Sequence, residues 1–229
     1  MIRWLSLVVC FVLAAACSAP PKPTETKSAT PAAKPRDDGK WKKLFDAWEY
    51  PAPLPDFELV DQDGRPFRLH SLLGSYTFVS FAFSSCQVVA ACPTTMKKMA
   101  EVQVLWLANS QSESKKLRLV TFTLDPENDT PKVLREYGRL NGADFSVWTL
   151  ATGPYGLMTE GLPSLLGIMA MRDQKGTLNH GVKAALLDPE LRSLREWEDN
   201  GFSAEDVVGA VLRHRADAGA STDAGAPPN

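Results

Sequence analysis

Cys86 and Cys92 are separated by five residues, 87–91, and His180 lies far downstream. Two thiols and an imidazole can together ligate a soft metal ion, and the thiols alone support disulfide exchange. The five-residue spacing leaves slack enough for both sulfurs to reach one point. Cys92 directly precedes Pro93, and proline favours a first helical position, so Cys92 is expected at or beside a helix N-cap. Unpaired amides and the helix dipole there favour a thiolate, the form that attacks disulfides and binds metal. The plainer alternative is a disulfide staple between Cys86 and Cys92. A loop this short would stabilise by only about 2 kcal/mol in the chain-entropy model, and a domain of this size can bury an adequate core without it.

A lone histidine is ordinarily a surface residue; chain order is what singles out His180. Two soft thiolates and one imidazole suit three-coordinate Cu(I), and can also hold Cu(II). Zinc in a closed structural site would recruit a fourth ligand. The other histidines, His70 and His214, fall on a turn and on the last helix, where solvation is expected. Met96 with Met99, and Met169 with Met171, share faces of a helix and a strand. Methionine at such spacing fills cores more often than it binds metal. Asp125-Pro126-Glu127 reads as a strand-end turn leading to a helix cap.

The elements that must position these residues alternate. Residues 57–60 and 67–69 flank Asp61-Gln62-Asp63-Gly64 and form a hairpin. Residues 76–83, YTFVSFAF, are the expected buried central strand, running directly into Ser84-Ser85-Cys86. Residues 93–107 form a helix with Met96, Met99, Val102 and Trp106 on one face. Residues 117–124 are a second buried strand, and a helix from Asp129-Thr130-Pro131 stops at Asn141-Gly142. A helix over 155–166, a strand over 168–172, a hairpin of 182–187 with 191–197, and a final helix over 204–215 complete the reading. A strand leading to a cysteine pair at a helix start, then βα and ββα units, is the thioredoxin-like order. The fold class expected is therefore α/β, a central mixed sheet flanked by helices with an N-terminal hairpin. In that order the strand begun by His180 starts beside the cysteine loop.

The chain has 229 residues, 44% hydrophobic and 23% charged, within the range of a globular domain. A net charge of -2 argues against nucleic acid as a partner. Arg3, a short apolar run and Ala14-Ala15-Ala16-Cys17 form an export signal over 1–16. The segment resembles a bacterial lipobox, with Cys17 as the lipid-anchored first residue; ordinary cleavage after Ala16 is the alternative. Either way Cys10 is removed. Residues 17–49 are the anchor and a disordered tether rich in Pro, Ala, Thr, Lys and Ser, 50–215 the domain, and 216–229 a disordered tail. Export places Cys86 and Cys92 in an oxidising, extracytoplasmic or periplasmic space where thiols tend to pair.

Several stretches in order carry a family resemblance: Phe83-Ser84-Ser85-Cys86, Cys92-Pro93-Thr94-Thr95-Met96, and Thr123-Leu124-Asp125-Pro126-Glu127-Asn128-Asp129-Thr130-Pro131. Gly142-Ala143-Asp144-Phe145, Thr152-Gly153, and His180 with Leu186-Leu187-Asp188-Pro189 follow. Over residues 55–211 the chain resembles the Sco/SenC family of copper-binding, thioredoxin-like assembly factors for cytochrome c oxidase. The resemblance implies that Cys86, Cys92 and His180 bind a copper ion. It also implies a partner, the oxidase subunit carrying the binuclear CuA site, to which members deliver copper or whose cysteines they reduce. Most members separate the cysteines by three residues, and Gly181 stands where serine is common. The function expected is a membrane-anchored copper chaperone rather than a turnover enzyme. The alternative is a thiol-disulfide oxidoreductase using Cys86 and Cys92 on a partner protein, although the short Cys-x-x-Cys spacing is absent. A binding module braced by a disulfide is the third class.

Overall fold

The computed structural model describes residues 39–109, 116–168, 170–172 and 178–223. The signal segment, Cys10, Cys17, most of the tether, Met169, and Asp173 and Gly176 of the expected polar turn lie outside them, as do the side chains of Met171 and His180.

The strand β3 (Tyr76–Ala82) is buried along its whole length, which explains a run with no polar alternation. Phe78 faces one core with Met96, Met99, Trp106, Trp148 and Phe202. Val79 and Phe81 face a second with Leu69, Phe122, Leu157 and Leu165. Parallel partners extend the sheet on one side: β4 (Leu117–Thr123), then β5 (Trp148–Thr152). The hairpin of β1 (Glu58–Asp61) and β2 (Pro66–Arg68) closes that edge by antiparallel pairing of β1 with β5. On the other side β8 (Lys183–Leu187) and β9 (Ser193–Glu198) pair antiparallel. The order is β2-β1-β5-β4-β3-β8-β9, a mixed sheet of the expected thioredoxin-like class. Helices α2 (Cys92–Ala108), α3 (Pro131–Leu140) and α5 (Ala204–Asp223) bring side chains to the first core. A π turn (Leu157–Gly161), α4 (Leu162–Leu165) and α1 (Lys40–Asp46) serve the second. A separate two-stranded sheet pairs β6 (Ala170–Arg172) with β7 (Leu178–His180).

Four elements differ from expectation. The last residues of the expected tether form α1, because Trp41, Phe45 and Trp48 have an apolar surface to cover. Strand β5 was not foreseen: two of its five residues are threonine, and it is held as a strand by β4 and β1. The helix expected over 155–166 is a π turn followed by α4, where Pro163 has no N–H to donate to the preceding turn. The final helix passes Arg215 and continues to Asp223, into the expected tail, since the Ala-rich run after His214 sustains it.

Gly161 shows how closely α1 is seated. A Cβ there would lie 2.8 Å from Trp41 Cε3, so only the missing side chain admits the indole. Gly161→Ala should displace Trp41 at a cost of about 1–3 kcal/mol, lowering the melting temperature by several degrees and speeding tryptic cleavage at Lys42 and Lys43. Unchanged cleavage would show that this contact does not hold α1.

Candidate metal centre

The chain leaves β3 at Ala82 and passes through Phe83, Ser84 and Ser85 to Cys86. This exit is tied to the exit of β4 through Asp129, whose side chain is wholly buried. Asp129 accepts the Ser84 N–H at 3.2 Å, the Ser84 hydroxyl, and the Thr123 hydroxyl at 2.5 Å. Burial pushes the Asp129 carboxyl above its ordinary value, those hydrogen bonds oppose the shift, and the Asp125 charge adds to it. The Asp125-Pro126-Glu127 turn thus lies beside the cysteine loop. Thr130 caps α3 by accepting the Val133 N–H at 3.4 Å.

Cys86 is half-buried at the start of the loop, and its N–H donates to Phe83 C=O at 3.2 Å. The loop then exposes Val88 and Val89, 63% and 75% accessible. Ala91 N–H to Val88 C=O, 2.9 Å, and Thr94 Oγ1 to Val89 C=O, 2.7 Å, lead it into α2. Cys92 is the first residue of that helix and only 1% exposed. Cys86 and Cys92 are reduced rather than joined as the expected disulfide, and their thiols are hydrogen-bonded to each other.

The expectation of a thiolate at Cys92 is overturned. Burial pushes its thiol up to about 12, and the hydrogen bond with Cys86 adds to the rise. The helix terminus favours the anion, but its effect is at most about 2 kcal/mol even when partly buried. Removing a thiolate from water costs more. Tyr137 on α3 shares the environment: burial raises its phenol above the ordinary range, and the neighbouring Cys92, Cys86 and Asp129 raise it further.

His180 does not begin a strand as expected: it ends β7, its backbone paired with Ala170, and β8 starts only at Lys183. In β8, Ala184 pairs with Ser80 near the C-terminal end of β3. Because β8 runs antiparallel to β3, the chain enters it at the sheet end from which the cysteine loop leaves. The backbone of His180 therefore comes to the expected end of the sheet. Among the described residues, which exclude the His180 side chain, no group of three or more His, Cys, Asp or Glu is arranged to hold a metal.

The other candidates are occupied elsewhere. His214 is not simply solvated: its Nδ1 lies 2.8 Å from the Tyr76 hydroxyl, at the opposite end of β3. His70 Nε2 lies 3.1 Å from Leu54 C=O. Met96 and Met99 are fully buried core, as expected. Residues without a sequence signal of their own are Tyr137 and Asn200, which contacts the loop from the turn after β9. Asp199-Asn200-Gly201 was legible as a turn at most, since the side chain of Asn200 bonds to residues about a hundred positions away.

The sheet order and the dithiol at a strand-to-helix junction define a thioredoxin-like domain. Residues 49–214 match the SCO1/SenC family, and the chain belongs to it. It is 27% identical over 160 residues to the SCO1 protein homolog of Bacillus subtilis, spanning 68% of this chain and 79% of that one. The crystal structure of a SCO1/SenC family lipoprotein from Bacillus anthracis is similar with a TM-score of 0.64 and 24% identity, covering 72% of this chain and 95% of that one. Arabidopsis thaliana ScoI with copper bound has a TM-score of 0.59 at 21% identity, over 71% of this chain and 98% of that one.

The raised Cys92 thiol has a defined effect on stability. Its folded-state value lies above the ordinary 9.0, so its contribution is complete below about pH 9 and is lost as pH rises toward 12. Thermal unfolding of the reduced protein should show that loss, and Cys92→Ala should make it shallower. Near pH 8, iodoacetamide should modify half-buried Cys86 well before Cys92; equal rates by peptide mass mapping would contradict the buried, protonated assignment.

Proposed function

We propose that the protein is a copper chaperone that binds one Cu(I) through Cys86, Cys92 and His180 and passes it to an acceptor by ligand exchange. The observation that carries this reading is the reduced pair itself, one thiol accessible and one buried, hydrogen-bonded at the sheet end to which the His180 backbone returns. Soft sulfur ligands select Cu(I). A copper-bound structure exists for ScoI of the same fold.

Binding displaces a proton from each thiol to solvent, and transfer to the acceptor returns both. The raised Cys92 thiol therefore makes uptake pH-dependent, with affinity rising as pH rises. The half-buried Cys86 is where an acceptor ligand first reaches the ion. The acceptor is the copper-bearing subunit of cytochrome c oxidase, with its CuA site, as the family resemblance implies. In the oxidised, metal-free protein the same pair forms a disulfide.

Anaerobic titration of the reduced protein with Cu(I) against a chelator should give one ion per chain. His180→Ala should weaken binding by more than about tenfold, roughly 1.4 kcal/mol. Unchanged affinity in that variant would remove His180 from the site. A thiol-disulfide oxidoreductase would instead keep full activity toward a client disulfide without His180.

We further propose that the protein is a lipoprotein anchored through Cys17 and facing the extracytoplasmic space, a reading supported by Arg3, the short apolar run and Ala14-Ala15-Ala16-Cys17. Cys17→Ser should move it from the membrane to the soluble fraction and leave copper stoichiometry unchanged; membrane retention would exclude a Cys17 anchor.

A further inference from the structure

The turn after β9 reaches the cysteine loop from outside the two strand exits. Asp199 and Asn200 have φ of 50° and 57°, a left-handed geometry that Asn and Asp tolerate better than most residues. Gly201 N–H closes the turn onto Glu198 C=O at 2.7 Å. Asn200 is only 6% exposed. Its Nδ2 donates to Ala90 C=O at 3.0 Å and to Ala91 C=O at 3.3 Å, and its Oδ1 accepts the Thr95 hydroxyl at 2.8 Å. Ala90 and Ala91 are the last residues before Cys92, and Thr95 lies in the first turn of α2. One side-chain amide thus ties the end of the loop to the start of the helix.

The same turn also holds the arm that carries the histidine. Asp199 N–H donates to Val182 C=O at 2.8 Å, two residues beyond His180. The turn is moored independently of the loop by Lys98, whose Nζ donates to Asn200 C=O at 2.5 Å and to Phe202 C=O at 2.8 Å. Between the cysteines, the middle of the loop presents Val88 and Val89 to solvent and buries neither. A loop so poorly anchored by its own side chains depends on contacts made to its backbone.

We propose that Asn200 is a positioning residue for the dithiol: it fixes Ala90 and Ala91, and through them the approach of Cys92 to Cys86. Through Asp199 and Val182, the same turn sets the distance from that pair to the His180 arm. Its consequence for metal rests on the copper reading above; its consequence for the thiols does not. Hydrogen-bonding partners one step removed from the ligands commonly change metal affinity 10- to 100-fold.

Two variants separate the amide from the turn. Asn200→Gly keeps the left-handed backbone and removes the amide; Asn200→Asp keeps the shape and the acceptor for Thr95 but loses the donor to Ala90 and Ala91. Gly161→Ala is the control, destabilising the second core without touching the turn or the loop. The first readout is metal-free: the protein dithiol and oxidised dithiothreitol give protein disulfide and reduced dithiothreitol, two electrons and two protons passing. Both Asn200 variants should lower that equilibrium constant about tenfold or more, close to 30 mV, and weaken Cu(I) binding by about tenfold. Gly161→Ala should lower the melting temperature and leave the thiol equilibrium unchanged. The proposal is overturned if Asn200→Gly or, should that variant not fold, Asn200→Asp lowers the melting temperature yet keeps the wild-type thiol equilibrium. Failure of the wild-type protein to take up Cu(I) would end the copper reading, while the thiol equilibrium of the variants still decides the role of Asn200.

Discussion

Asp129 is sealed from solvent and receives hydrogen bonds from Ser84 and Thr123, which stand at the exits of two neighbouring parallel strands. Parallel strands hydrogen-bond through their lengths, but their exits must diverge into separate crossovers, and nothing in the ladder holds those exits together. Here Leu124 N–H still reaches Ala82 C=O at 3.0 Å, and the Asp129 carboxylate spans the next step. Burying a carboxylate is expensive, so the arrangement persists because its acceptor capacity is met by the surrounding donors. Cys86 follows Ser84 by two residues. Its position is inherited from that pin.

The dithiol illustrates a competition between two local effects. A helix start attracts negative charge, whereas an apolar core repels it. Cys92 belongs to the buried apolar cluster that includes Met96 and Met99, and burial prevails, leaving a protonated, buried thiol bonded to a more accessible one. That balance suits a pair that yields protons only when something better than a proton arrives. A soft cation bound by both sulfurs compensates the desolvation of the thiolates directly, which a distant dipole cannot.

The sheet supplies the rigidity around this end. Both faces of β3 are covered, so the strand cannot slip without exposing Phe78 on one side or Phe81 on the other. Much of this was legible: the buried runs of β3 and β4, the face of α2 marked by Met96, Met99, Val102 and Trp106, and the hairpins at both edges. Strand β5 was not, because a short segment with two threonines is made a strand by its neighbours. Nor was α1, whose aromatic residues follow a polar, Pro-rich stretch and acquire meaning only against the π turn and α4. Gly161 is the clearest instance, since its missing Cβ matters only once Trp41 lies on it.

Residue types and their order determined the fold class, the pairing of Cys86 with Cys92 at a strand-to-helix junction, and the return of the His180 segment to the same sheet end. Those follow from periodicity and from the few topologies that bury such strands. Only the tertiary structure decided that Cys92 is buried and protonated, that Asp129 joins two strand exits, and that Asn200 reaches back to Ala90 and Ala91. Each of these depends on distances between residues far apart in the chain, and a thiol's charge state depends on what surrounds it rather than on the residue beside it.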